Sequence, residues 1–573
     1  MLLNRNRVSS HFVLGVAVTF ACLVQGIGTP PLDAQDSLPA RSGGAAVASA
    51  TDPVVVVTIG SVNKLMQDVN YITGVVGQPQ VGGMFAMMAG TFTQGIDMNQ
   101  PIAVVVPLVN GSPEPIALLP TADVKTVLKR LEAQTGPADE LSDGTLVIAV
   151  GANTVYIRQL GNWAALARNR ELLDLAPADP SSVMEGMGNS YDLAIRLRMQ
   201  QVPTETRNML IAQLRQGFEQ AIAKQDQADA EGTRAMAESS IKQIEQLIQD
   251  TNELKIGWNI DQSAKGIHID GAFTAVDGSQ LAAIYGGQKA IPSQFASVIR
   301  DDAAAFYHAA MSIGPEAIEQ YIASLETATA AINNAISESD DLNEDQQVEV
   351  QALVGRIVDL ATSSVKEGKA DFGTLLLANE DDFQFVFGSF VADGNEAAQI
   401  VKDLAAKLQN EPKAPRFLFD QETYKGVSLH RIEADVPAGE DEARKVFGET
   451  LRVHVGTGAK AVYVAVGENS ESLMKQLVDS GASDNGGVRP LGQMTVKLLP
   501  ILKYAQSIET NGTIAAMIDS LATAADQGNV RIVSNSIPNG QDSRITVTEG
   551  LLQAIGAAVR QTQQAKMQQN DQF

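Results

Sequence analysis

The chain has 573 residues, of which 45% are hydrophobic, 19% charged and 5% aromatic; it can bury several cores and is too apolar to stay unfolded. Sixty-seven acidic residues against 42 Lys and Arg give a formal charge of -25, which argues against unaided binding to nucleic acid or anionic lipid, where a basic footprint is needed. Cys22 is the only cysteine and falls in an export signal, so the mature chain has no disulfide, zinc–thiolate site or thiol catalysis.

In that N-terminal signal, Arg5 and Arg7 are the basic start and Phe12 to Val24 the apolar run, about a dozen residues against the ~20 of a membrane span. Residues 1–28 are expected to be the signal peptide, and 29–53, rich in Pro, Ala, Ser and Gly, a flexible linker. Thr19-Phe20-Ala21-Cys22 is a poor lipobox, so acylated Cys22 and an uncleaved anchor stand as alternatives. No later stretch is apolar over a span length, so the protein is expected to be exported, periplasmic or extracellular, or attached to the envelope.

Beyond the linker, VVVVTIG reads as a strand and a helical stretch follows from Ser61. This stretch includes the uncharged, glycine-flanked run Val81 to Phe92, with Met84, Phe85, Met87, Met88 and Phe92. Methionine surfaces are soft and accept varied apolar ligands, so these residues are the candidate lip of an apolar site; the alternative is an ordinary buried helix. Ile102–Val109 and Ile116–Pro120 are strands around a turn, and Thr121–Glu132 a helix. Residues 144–175 read as three strands and a short helix. YDLAIRLRM is a strand, followed by two helical stretches with apolar stripes at Leu210, Leu214, Phe218, Ile222 and at Ala237, Ile241, Ile244, Ile248. ELKIGWNID and IHIDGAFTAV are then paired strands, and Asp277-Gly278 starts a helix.

The pattern returns after residue 300. AAAFYHAAMSI leads to a second helical pair, with stripes Ile318, Tyr321, Leu325, Ile332 and Val354, Ile357, Leu360, Ala361; Asn343-x-x-Gln346 between them is a capping-box start. KADFGTLLLANE and FQFVFGSFVA are strands, and Asp393-Gly394 opens a helix. GVSLHRIEAD and AKAVYVAVG match the earlier block at 144–175. MTVKLLP precedes a helix from Ile501, Val530–Ser534 and Ser543–Thr548 flank the hairpin signal IPNGQD, and a helix runs from Glu549 to about Lys566. The expected fold is α+β: a tandem duplication of mostly antiparallel sheets with helices packed on one face, including two long helical hairpins. The halves are 54–290 and 300–566, with 567–573 a disordered tail. Trp163 and Trp258 are assigned to the core.

Catalytic signatures are missing. The chain has no GxSxG elbow and no phosphate loop. Gly456-Thr-Gly458-Ala-Lys-Ala461 matches a dinucleotide fingerprint in letters, but a strand follows it where a helix is required. His430 and His454, with Glu433 or Asp435, are the one metal constellation to consider, and strand histidines are more often structural. Asp341-x-Asn343-x-Asp345 lacks the Gly and Glu of a calcium loop. No catalytic residue, metal ligand or cofactor is therefore assigned.

The strings GIDMNQPIAVVV, ALLPTADVKTVLKRL and VYIRQLGNWAALARNRELLDL resemble a group of exported proteins of unknown function from planctomycete-type bacteria, over most of the mature chain. The resemblance implies export and assigns no activity and no functional residue. The resulting expectation is an exported cell-envelope protein without enzymatic activity that binds a protein partner or an apolar ligand, and neither nucleic acid nor, beyond the N-terminal signal, the membrane interior. A secreted hydrolase using carboxylates and an envelope scaffold protein are the alternatives; two tryptophans are few for a sugar-binding hydrolase.

Overall fold

The computed structural model describes residues 53–222, 230–339, 342–408, 414–481 and 489–570. The expected export signal with Arg5, Arg7 and Cys22, and the expected linker as far as residue 52, lie outside the described residues. Among the described residues no helix is long and apolar enough to cross a membrane.

The first 250 residues of this range supply ten sheet strands. β1 (Val55–Ile59), β2 (Ile102–Val106) and β3 (Ile116–Pro120) are followed by β4 (Asp139–Glu140), β5 (Leu146–Val150), β6 (Asn153–Leu160) and β7 (Trp163–Ala167), and then β8 (Leu193–Arg198), β9 (Thr251–Asp261) and β10 (Gly266–Ala275). Helices α1 (Val62–Val75) and α2 (Pro79–Phe92) join β1 to β2, α3 (Val124–Thr135) follows β3, α4 (Thr204–Ile222) and α5 (Ala230–Asp250) join β8 to β9, and α6 (Gln280–Gly286) follows β10.

Ten more strands come after residue 300: β11 (Ala305–Ser312), β12 (Lys369–Ala378), β13 (Phe383–Phe390), β14 (Arg416–Tyr424), β15 (Val427–Asp435), β16 (Thr450–Gly458), β17 (Ala461–Gly467), β18 (Gly492–Lys497), β19 (Asn529–Ile537) and β20 (Gly540–Thr548). Between them run α7 (Pro315–Ser337), α8 (Glu344–Lys366), α9 (Gly394–Leu408), α10 (Asp441–Phe447), α11 (Ser470–Ser480), α12 (Leu498–Ile508) and α13 (Gly512–Ala522), and α14 (Glu549–Asn570) closes the chain. The last helix therefore continues through Asn570, past the end expected at residue 566.

All twenty strands form one antiparallel sheet. Its order is β4-β5-β6-β7-β3-β2-β1-β8-β9-β10-β20-β19-β18-β11-β12-β13-β17-β16-β15-β14. Read inward from either edge the order is the same, with ten added to each strand label. The runs meet at β10 and β20, where Asp270 lies opposite Arg544.

Local chemistry explains the joints. Lys425 and Gly426 both have positive φ, 47° and 83°, and make the two-residue turn between β14 and β15 whose twist matches the strands. Asn539, with φ 54°, turns the chain between β19 and β20. Asp123 caps α3 by accepting the backbone N–H groups of Lys125 and Thr126, and the Asn343–Gln346 capping box starts α8.

Helices lie on both faces of the sheet, where the sequence reading expected one. On the back face, Leu172, Leu173, Met184 and Met187 pack on Val56, Ala103, Val105, Ile116 and Leu118. In the second run, Leu473, Met474 and Leu477 of α11 join Phe295 and Val298 over Leu375, Val386 and Tyr463. On the front face, α3 covers Leu146, Ile148 and Ile157 with Val124 and Leu128, α9 covers Val462, and α6 packs on Phe273. Alternating burial along strands such as β1 and β2 supplies both faces with apolar side chains, so each face needs a cover.

Candidate functional site: an apolar floor between two helical pairs

The front face of β8 and β9 has no such cover. Leu193 pairs with Trp258, Ile195 with Ile256 and Leu197 with Leu254. Leu193, Ile195, Leu254, Ile256 and Trp258 are 43%, 41%, 37%, 46% and 44% exposed. Adjacent strands extend the block without charge, since Ile59, Val57 and Val55 of β1 lie opposite Leu193, Ile195 and Leu197, and Ile269 of β10 lies opposite Trp258. The five most exposed side chains alone present on the order of 400 Å² of apolar surface, at the size where a patch on a monomer is commonly functional.

Strand β8 is inverted relative to an ordinary half-buried strand. Its charged Arg196 is only 1% exposed, on the back face, while its apolar neighbours face solvent. The guanidinium is held by the Val183 carbonyl at 2.7 Å and by an ion pair with Glu185. Both partners come from the segment around the short helix Pro180–Met184, where Glu185 adopts φ 46°. Burying an arginine needs such compensation.

A helical pair is fastened at each end of the floor. At one end, the Lys64 ammonium of α1 pairs with Asp192, the residue before Leu193; it also donates to Asp68 at 2.8 Å and to Asn259, the residue after Trp258, at 3.0 Å. Asp192 also accepts the Ile260 N–H at 2.6 Å, and Gln262 donates to Asp68 at 2.7 Å. Burial acts to lower the Lys64 pKa, but the hydrogen bonds to Asp192 and Asp68 outweigh it, and the pKa lies above its ordinary 10.5. At the other end, Gln200 donates to the carbonyls of Thr251 and Gln249, at 2.7 and 3.0 Å, and Arg207 to that of Gln249 at 3.2 Å.

Both pairs expose apolar side chains. On α2, Val81, Met84, Met87 and Met88 are 43–70% exposed; on α4, Met209, Leu210 and Leu214 are at least 40% exposed. α2 lies close against α1, because Gly82 leaves room: a Cβ there would sit 2.5 Å from Asn70 Oδ1 and Thr73 Oγ1. Among the expected lip residues, the structure brings Met84, Met87 and Met88 together on the exposed side of one helix. Phe85 is half-buried, and the side chain of Phe92 lies outside the described residues. The floor was missed by the sequence reading; Trp258, assigned to the core, is one of its most exposed members. The alternation in LAIRLR and ELKIGWNID marks one apolar row on each strand but does not state whether that row is covered.

Among the described residues, the other candidates read from the sequence do not assemble into a catalytic or metal site. His430 and His454 sit on neighbouring strands, but His454 lies opposite Arg431, so the two histidines point to opposite faces. His430 accepts the Asp420 N–H at 3.0 Å and meets Thr457 Oγ1 at 3.1 Å. No group of three metal-type ligands exists among the described residues. Gly456 to Gly458 end strand β16, Ala459 and Lys460 form the turn, and Ala461 begins β17. Ser293, His308 and Asp371 form a buried chain in which Ser293 donates to Asp371 at 2.6 Å and meets His308 Nε2 at 2.9 Å. Here serine sits between histidine and aspartate. A nucleophilic triad needs histidine in the middle and a serine open to substrate. Comparison with protein-family models, with curated proteins and with solved structures gives no match.

Proposed function

We propose that this is an exported, non-enzymatic binding protein of the cell envelope, and that its ligand is the acyl chain of a lipid lying along the front of β8 and β9. The inverted strand carries this reading: Arg196 is buried and Ile195 exposed, which costs stability unless the exposed side has work to do. The floor supplies non-directional apolar contact. The methionines of α2, including Met84, Met87 and Met88, form a soft lip that conforms to a flexible chain. An acyl chain suits the floor because it is apolar along its length, and the paired residues of the floor carry no charge from Val55, Val57 and Ile59 across to Ile269.

In the same reading the sheet is the product of a tandem duplication, with halves 54–290 and 300–566. The repeated strand order supports it, as does the recurrence of strand, helix pair, two strands and helix in β1 to α3, β8 to α6, β11 to α9 and β18 to α14. Each helical hairpin then has its counterpart at the matching joint of the other half, α4–α5 with α12–α13 and α7–α8 with α1–α2.

Native mass spectrometry of protein purified from exporting cells, with organic extraction of whatever is bound, tests the function. A reproducible lipid adduct is expected. A protein that remains free of lipid and assembles into a discrete oligomer through β8 and β9 would replace this reading with the scaffold role.

A further inference from the structure

The back face carries a second feature where the two strand runs meet. β9, β10, β20 and β19 lie side by side there and contribute to neither large back-face core. They line a cleft of about 580 Å³, the size of a small-molecule site. The Tyr191 ring closes one side by lying on Gly257, where a Cβ would come within 2.5 Å of it. In the middle, Arg544 makes a two-pronged pair with Asp270, at 2.7 and 2.8 Å, and the Tyr191 hydroxyl donates to the same carboxylate at 3.0 Å. That centre is electrically neutral.

The ends of the cleft are different. Lys255 and Arg531 also line it, and among the described residues neither meets a carboxylate within ion-pair distance. Asp542, the other acid in the cleft, accepts the Asn535 amide at 2.9 Å. Three cations, Lys255, Arg531 and Arg544, thus face two acids, Asp270 and Asp542, for a net of +1 in a chain of net charge -25. Lys255 shares its row with Ala272, Asp542 and Asn535, while Arg531 shares the row of Thr546, His268 and Asn259. The two cations therefore sit at diagonal corners, three strands and four residues apart, roughly 20 Å between Cα atoms. Their side chains reach into the cleft and leave a span of roughly 10 Å between the charges.

We propose that this cleft binds an elongated small acid with an anionic group at each end, one held by Lys255 and the other by Arg531, across the neutral Asp270–Arg544 pair. Unneutralised cations in a concavity focus the field on an anion, and each end gains a charge-assisted hydrogen bond. The acid is a dicarboxylate or a linear polyphosphate; both present paired terminal anions. The site is on the opposite face from the apolar floor and does not depend on it.

Isothermal titration calorimetry on the purified protein tests the proposal with linear dicarboxylates from succinate to sebacate, with pyrophosphate to tetrapolyphosphate, and with acetate and orthophosphate as single-centre controls. Affinity should rise with length to a maximum at least about tenfold above the controls, and the better series identifies the anion. Lys255→Ala and Arg531→Ala should each weaken the best ligand about tenfold or more and remove the length preference, while Lys125→Ala, far from the cleft, leaves both unchanged. Circular dichroism confirms that each variant is folded. Dianions that bind no better than the controls at every length overturn the proposal. So does a folded Lys255→Ala/Arg531→Ala double variant that binds the best dianion as the wild type does.

Discussion

Replacing Ile256 by lysine separates the floor from the fold. Ile256 is 46% exposed, so about half of its surface remains for a ligand to cover. Full burial of an isoleucine side chain is worth about 1.5–3 kcal/mol, which leaves about 1 kcal/mol for the ligand contact. A lysine beneath an acyl chain adds the cost of dehydrating an ammonium, limited to about 2 kcal/mol because the flexible side chain can lift its charge toward water. The sum, about 3 kcal/mol, corresponds to about a hundredfold loss of affinity. Stability should change by no more than about 1 kcal/mol, since the lysine stem keeps much of the strand packing. Fluorescence titration with an acyl-chain probe reads the first quantity and urea unfolding the second. Val150→Lys is the matched control, because Val150 is 47% exposed on β5, away from the floor. Equal affinity of Ile256→Lys and wild type, or an equal loss in Val150→Lys, refutes the assignment of the floor.

Other substitutions test the supports. Lys64→Met strands Asp68 and Asp192, with side chains 4% and 5% exposed, and should cost about 2–3 kcal/mol in urea unfolding. Because the Lys64 pKa is raised in the folded protein, its contribution is fully present below 10.5 and fades as the pH climbs through the higher folded value; the wild type should lose this increment at alkaline pH, whereas Lys64→Met has none to lose. Gly257→Ala should displace the Tyr191 ring at a cost of about 1–3 kcal/mol, with the change visible in tyrosine fluorescence. Burial lowers the His430 pKa below 6.5, and Asp420 offsets this only in part. The neutral ring therefore supports the fold above pH 6.5, and that support is lost as the pH falls through the lower folded value. His430→Gln should show a smaller drop in stability between pH 7 and 5; an unchanged pH profile would show that His430 does not titrate on unfolding.

Local elements were legible because their determinants are local. The hairpin at Asn539-Gly540, the cap at Asn343 and the helix start at Asp393-Gly394 are written in adjacent residues and appear where the sequence placed them. What joins them is not. The pairing of β10 with β20 brings together residues some 270 positions apart, as in Asp270 with Arg544, and an alternating strand states only that it has an apolar face. It does not name the neighbouring strand. One sheet in place of two, and covers on both faces in place of one, follow from such long-range pairings.

The floor was hidden for a sharper reason. In LAIRLR, alternation assigns Leu193, Ile195 and Leu197 to a core and Arg196 to water, because charge is cheapest to leave in water. The structure reverses the assignment, and it does so through residues outside the strand: the Val183 carbonyl and Glu185 accept the guanidinium, while the Lys64 cluster and Gln200 fix the helical pairs at the ends of β8 and β9. Had α1 or α4 settled on the floor, Ile195 and Ile256 would be covered and the exposed apolar area would vanish, a gain of about 25 cal/mol for each Å². The fold forgoes that gain of about 10 kcal/mol over some 400 Å². A stability deficit of that size, comparable to the whole stability of a typical domain, is the physical ground for expecting a ligand to cover β8 and β9.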